Sequence, residues 1–168
     1  MTQSTITQRK KVLLLALLIV AFDQLVKYWM VANLEGKAGI PVLPVGASLE
    51  DAWIWFDVTR NTGAAFGIGA GLTYLFSVLA IFVIGVIFYM LKNFSNPIWL
   101  FPLALMMGGA AGNLLDRIFR DPGVFRGAVV DFISVKYFSV FNVADSFITI
   151  SAILIIIFTI FKIDEKQS

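Results

Sequence analysis

Leu72 to Leu91 reads LTYLFSVLAIFVIGVIFYML, a 20-residue stretch without a charge that stops at Lys92. A helix rises about 1.5 Å per residue, so this run matches the ~30 Å hydrocarbon core of a bilayer and marks an integral membrane protein. Working outward, Pro97–Leu115 repeats the pattern on the C-terminal side. Tyr137–Phe161 does so again with Asp145 as its one charge, and Val12–Val31 carries only Asp23 and Lys27. Four spans are expected, at about 12–31, 72–91, 97–116 and 138–161, joined by two longer loops at about 33–71 and 117–137. The predicted fold is an all-α membrane protein, one domain of four transmembrane helices with a small β-rich loop region outside the membrane. Composition agrees, with 59% hydrophobic and 14% charged residues in a chain of 168.

Arg9-Lys10-Lys11 before an apolar run also fits a cleaved leader. No small-x-small site follows, however, and Tyr28-Trp29-Met30-Val31 carries the apolar stretch past the charges, so a retained first span is expected. With the N-terminus in the cytoplasm, Arg9, Lys10, Lys11, Lys92, Lys162 and Lys166 fall inside, while Lys37, Arg60, Arg117, Arg120, Arg126 and Lys136 fall outside. The tally is even. The basic N-terminus beside the first span decides for both termini inside, which puts 33–71 and 117–137 on the outer face.

The chain has no cysteine and no histidine, which removes disulfides, thiol nucleophiles, conventional zinc sites and histidine relays. No metal or other cofactor is expected. A net charge of +2 with no basic stripe leaves nothing for nucleic acid to read. In the first outer loop, Ala52–Thr59 is rich in β-formers and predicts a short strand whose Trp53 and Trp55 suit headgroup depth. Gly67, Gly69 and Gly71 lack the Lys-Ser/Thr of a phosphate loop and read as a turn.

The remaining polar residues carry the functional signal. Ionisable groups at membrane depth cost roughly 2.5–3.5 kcal/mol at a span centre on insertion scales, so each needs a reason. Asp23 and Lys27 lie in the outer half of span one, and Asn113, Asp116 and Arg117 at the outer end of span three. Asn142 and Asp145 open span four, with Asn61 and Asp131 in the outer loops. All converge on one depth. Each also has a plainer reading: Asp23 and Lys27 as an i,i+4 ion pair, Arg117 as a headgroup anchor, Asn142 and Asp145 as a helix cap with a first-turn acid, Asp131 as a loop acid. If Asp131 and Asp145 meet within ~3 Å they cannot both ionise, and the pair gains a general base and a proton donor. Asn and Arg side chains nearby would hold a peptide main chain and stabilise an oxyanion.

Rival chemistries are a cation path through Asp23, Asp116, Asp131 and Asp145, a Ser146–Lys136 nucleophile and base, and a divalent-cation site among the carboxylates. The first is disfavoured by clean inner halves of spans two and four, Val78–Leu91 and Ile153–Phe161, and the last by the neighbouring cations.

Five segments in order, Asp23-Gln24-x-x-Lys27, Asn61-x-Gly63-x-Ala65-Phe66, Gly112-Asn113-x-x-Asp116-Arg117, Val129-Val130-Asp131-Phe132 and Phe141-Asn142-x-Ala144-Asp145, closely resemble bacterial lipoprotein signal peptidase (signal peptidase II). The resemblance spans about residues 12–160. It implies an aspartic endopeptidase acting on diacylglyceryl-modified prolipoproteins, cutting before the lipidated cysteine, and working in contact with membrane lipids. Asp131 and Asp145 would be the catalytic dyad, Asn61, Asn113, Arg117 and Asn142 would line the substrate site, and Asp23, Lys27 and Asp116 would be structural. A monomer is expected. The 13 residues between Asp131 and Asp145 form a shorter connection than in many members.

Overall fold

The computed structural model describes residues 3–63, 72–92 and 96–163; Ala65, Phe66, the glycines at 67, 69 and 71 and the tail Asp164–Ser168 lie outside the described residues. The elements run α1 (Gln3–Leu34), β1 (Ile40–Leu43), β2 (Ile54–Asn61), α2 (Thr73–Met90), α3 (Pro97–Phe119), β3 (Val129–Val135) and α4 (Val143–Ile160). All four helices are long and apolar enough to cross a membrane.

α3 is the hub, with α1, α2 and α4 packed around it. Within its span 61% is buried inside the protein, against 11% for α4, whose apolar side chains mostly face outward as a lipid-facing helix requires. Close approach comes from the small residues Gly108-Gly109-Ala110-Ala111-Gly112. A Cβ at Gly108 would sit 2.7 Å from Ile19 Cβ on α1, and one at Gly109 would sit 2.5 Å from the Ala144 carbonyl on α4. Without a driving force from water, such backbone proximity is what holds membrane helices together.

The strands form one antiparallel sheet in the order β1-β2-β3. Alternation along β3 sorts its side chains: Val130 and Phe132 join Met30 and Leu34 of α1 in a buried cluster, while Asp131 points the other way and borders a cavity. The register pairs Thr59 with Asp131 and Asn61 with Val129, so Asn61 and Asp131 are diagonal neighbours on one face. An exposed two-point ion pair, Arg60 to Glu35 at 2.7 and 2.9 Å, ties β2 to the end of α1.

Several expectations are corrected. Asp131 was expected in a loop and lies in a strand, because VVDFISV alternates β-branched and aromatic residues around it. The expected strand at 52–59 is displaced to Ile54–Asn61. The fourth helix starts at Val143 instead of 138, since Phe141 exchanges backbone hydrogen bonds with Ile133 (2.8 and 3.1 Å) and extends the sheet up to the cap. The first and third helices are longer than their apolar cores, reaching Leu34 and Phe119.

Candidate active site

Four elements deliver the two acids and their supports. β3 carries Asp131, β2 carries Asn61, the start of α4 carries Asn142 and Asp145, and the C-terminal half of α3 carries Asn113 and Arg117. Asn142 is the N-cap of α4 in a full capping box. Its side chain accepts from the Asp145 N–H at 3.0 Å, and Asp145 Oδ2 accepts from the Asn142 N–H at 3.2 Å. The plain reading of these two residues, helix cap and first-turn acid, therefore holds.

Asp131 accepts one amide at each oxygen, Asn61 Nδ2 at 2.8 Å and Asn142 Nδ2 at 2.6 Å. Asn142 Nδ2 also donates to Asn113 Oδ1 at 3.1 Å, and Asn113 Nδ2 donates to Asp145 Oδ1 at 2.7 Å. The carboxylates are thus joined by a relay of two amides, Asp131–Asn142–Asn113–Asp145. Both border one cavity of about 540 Å³, together with Asn61, Gly63, Asn113 and Arg117 on its polar wall and Val129, Phe138, Val140, Phe141 and Ile148 on its apolar wall. Burial, and then the charge of Asp145, push the Asp131 carboxyl up to about 6, against the lowering effect of its two amide donors. An acid poised near neutrality beside a second carboxylate is the raw material of acid–base catalysis.

Arg117 spans the cavity wall. Its Nη2 donates to the Gly63 carbonyl at 3.1 Å, and its guanidinium carbon lies 5.5 Å from the centre of the Phe76 ring. Nη1 is buried and has no hydrogen-bond partner among the described residues. A buried N–H donor without a partner costs free energy that a guest carbonyl would recover. Asn142, expected to line the cavity, is instead completely buried behind both acids; a cap must tuck under its own helix, and that places its amide against Asp131.

Asp23, Lys27 and Asp116 do not border the cavity. Lys27 Nζ lies 2.8 Å from Asp23 Oδ2, 2.9 Å from Asp116 Oδ2 and 2.9 Å from Asn113 Oδ1. Asp23 Oδ1 accepts from the Ala144 N–H at 2.9 Å, and Asp116 Oδ2 from the Val130 N–H at 3.2 Å. This buried cluster therefore fastens α1, α3, α4 and β3 to one another directly beneath the acids. Sequence reasoning assigned no role to two further members. Gln24 Nε2 donates to the Gly112 carbonyl at 3.0 Å, and Arg120 Nε bonds Asp116 Oδ1 at 2.6 Å. The second was readable, since Asp116 and Arg120 repeat the i,i+4 acid-then-base spacing of Asp23 and Lys27. Ser146 and Lys136 are not paired as nucleophile and base: Ser146 Oγ bonds the Asn142 carbonyl at 3.1 Å and Lys136 Nζ the Glu50 carbonyl at 3.1 Å.

With this geometry in place, comparison with known proteins is decisive. A family model described as signal peptidase (SPase) II matches residues 15–161. The chain belongs to the signal peptidase II family. A lipoprotein signal peptidase of Streptomyces griseus subsp. griseus is 44% identical over 159 residues, covering 94% of this chain and 78% of that one. One from Rhodococcus jostii is 38% identical over 161 residues, covering 95% and 78%. Among solved structures, a bacterial membrane enzyme determined by the in meso method at 2.3 Å resolution superposes with a TM-score of 0.75 at 30% identity, covering 95% of this chain and 94% of that one. The family resemblance carried by the five segments is borne out, and with it a membrane peptidase of the aspartic type that serves lipoprotein processing.

Proposed function

We propose that this signal peptidase removes signal peptides from diacylglyceryl-modified prolipoproteins, cutting just before the lipidated cysteine, with Asp131 and Asp145 as the water-activating dyad. The observation that carries the reading is the placement of both acids on one cavity wall, with Asp131 held near 6 by burial and by its partner. Up to a pH of about 6 the dyad keeps one proton. The ionised carboxylate takes a proton from water as the water oxygen attacks the scissile carbonyl carbon, and the protonated carboxyl donates to the carbonyl oxygen. Collapse of the resulting diol breaks the C–N bond and passes one hydroxyl proton to the ionised carboxylate. The leaving nitrogen takes a proton from the dyad, so one water has been added across the bond: the signal peptide gains a carboxyl terminus and the lipidated cysteine an amino terminus.

Arg117 Nη1 and the Asn61 and Asn113 side chains would hold the substrate main chain, and the apolar wall its flanking side chains. Asn142 acts from behind, orienting Asp131. Asp23, Lys27 and Asp116 serve as the structural clamp. Among the described residues the side chains that donate to the two acids are the amides of Asn61, Asn113 and Asn142, which hold the carboxylates while leaving them able to pass protons. A single chain is proposed as the working unit. With both termini in the cytoplasm the site lies near the outer face of the cytoplasmic membrane. There an acylated substrate arrives concentrated and oriented, each buried CH₂ adding about 0.8 kcal/mol to its anchoring.

The test is purified protein in detergent with a lipid-modified prolipoprotein, followed by gel shift and mass spectrometry of the new N-terminus. The expected product begins at the lipidated cysteine, and a precursor whose cysteine cannot be lipidated is cut far more slowly. Equal cleavage of both would sink the assignment and favour a general intramembrane protease.

A further inference from the structure

At the end of the bundle opposite the acids, a second cavity of about 360 Å³ opens between the start of α1 and the end of α2. Its mouth is basic. Arg9 reaches across the gap and donates Nε to the Leu91 carbonyl at 2.9 Å, at the C-cap of α2, and Lys92 follows on the same rim. Lys10 and Lys11 are exposed immediately beside Arg9. Below this rim the lining turns apolar, with Leu13 one helical turn deeper on α1 and Phe88 and Gly85 on α2. Gly85 precedes Lys92 by seven residues, so the apolar floor extends about 10 Å toward the bilayer centre. A Cβ added at Gly85 would meet nothing within 4 Å, so the floor is open there. Tyr89, exposed on the rim, has the amphipathic ring that suits headgroup depth.

We propose that this groove binds an anionic glycerophospholipid, with its phosphate between Arg9 and Lys92 and one acyl chain lying along Leu13, Gly85 and Phe88. Charge complementarity selects the occupant. The two cations that line the rim attract a net-negative headgroup, whereas a zwitterionic lipid brings its own cation into the same field. The vertical order, cations at the interface and apolar surface beneath, is the order of groups in a lipid, and it differs from that of a soluble anion, which would leave the floor empty. The lipid would bridge α1 and α2 on the face away from catalysis.

The experiment uses the full-length protein in mild detergent, with native mass spectrometry counting retained lipid after titration with phosphatidylglycerol or phosphatidylcholine of matched chains. Phosphatidylglycerol should be retained at least several-fold more strongly. Lys92→Gln and Arg9→Gln should each weaken it about fivefold, the effect of roughly one kcal/mol per surface charge. Gly85→Leu should displace it by filling the floor while leaving both cations in place, and it keeps the test decisive where Arg9→Gln loosens the end of α2. Cleavage of a lipidated precursor in excess detergent should be unchanged in Gly85→Leu, which lies far from the acids. Equal retention of the two lipids, retention unaffected by Gly85→Leu, or displacement of phosphatidylglycerol by millimolar inorganic phosphate would each overturn the proposal.

Discussion

Replacing Lys27 by methionine removes an ammonium that lies 2.8 Å from Asp23 Oδ2 and 2.9 Å from both Asp116 Oδ2 and Asn113 Oδ1, while keeping a side chain of similar length. Lys27 and Asp23 are fully buried and Asp116 is 1% exposed, so water cannot take the ammonium's place. Breaking a buried ion pair by deleting one partner typically costs ~3–5 kcal/mol, because the other charge is stranded. Asp116 keeps Arg120 at 2.6 Å, and Asp23 keeps the Ala144 N–H and the Gln24 amide. The loss therefore belongs at the lower end, about 3 kcal/mol. Adding Asp23→Asn to Lys27→Met neutralises the stranded acid, and the double variant should be more stable than the sum of the singles by about 1–3 kcal/mol. Reversible unfolding in mixed micelles, followed by circular dichroism at one pH, measures both quantities. A Lys27→Met variant within about 1 kcal/mol of the parent, or simple additivity in the cycle, would refute the clamp.

The pH dependence follows from Asp131. With its carboxyl raised to about 6, the competent singly protonated dyad is lost as pH rises through that value, so log kcat/KM should fall with unit slope on the alkaline side. Asn61→Ala removes an amide that favours the ionised form, so the limb should move to higher pH; movement to lower pH would contradict the role given to Asn61. The same raised value makes ionised Asp131 more costly in the folded chain than in the unfolded one. That penalty is absent below about 3.8 and complete above about 6, so the protein should gain stability as pH falls through this window, and Asp131→Asn should abolish the gain. Chelators should leave cleavage intact; a loss with EDTA that Mg²⁺ or Zn²⁺ restores would replace the water-activation scheme with a metal one. Cysteine labelling at Gly36 and Gly123 should occur from outside and at Ser168 from inside, and outside labelling of Ser168 would invert the topology.

Much of this was legible in the sequence because membranes make polarity expensive. Uncharged runs such as Leu72–Leu91 fixed the number of helices, and the residues that broke the pattern, from Asp23 to Asp145, are those gathered at one end of the bundle. Boundaries were less legible. The apolar run from Tyr137 hid the start of α4, although Asn142 followed three residues later by Asp145 is a capping signature. β3 is hard to read from sequence because its buried residues fall on both faces, Asp131 among them, so VVDFISV lacks the apolar–polar alternation of a half-exposed strand. The double duty of Asn142, cap to one acid and amide donor to the other, depends on the sheet bringing Asp131 to the helix start, and spacing along the chain does not encode that meeting.

The dyad is tested most directly by the nearly isosteric variants Asp131→Asn and Asp145→Asn, assayed for single-turnover cleavage of a lipid-modified prolipoprotein. Each removes a titratable oxygen and little else, and the weakened capping box in Asp145→Asn should cost about 1 kcal/mol, too little to unfold the bundle. Both variants should insert and keep parental helix content while cleavage falls by about a thousandfold or more, as when one member of a catalytic unit is lost. A folded Asp131→Asn or Asp145→Asn protein that retains a substantial share of the parental rate would contradict the assignment.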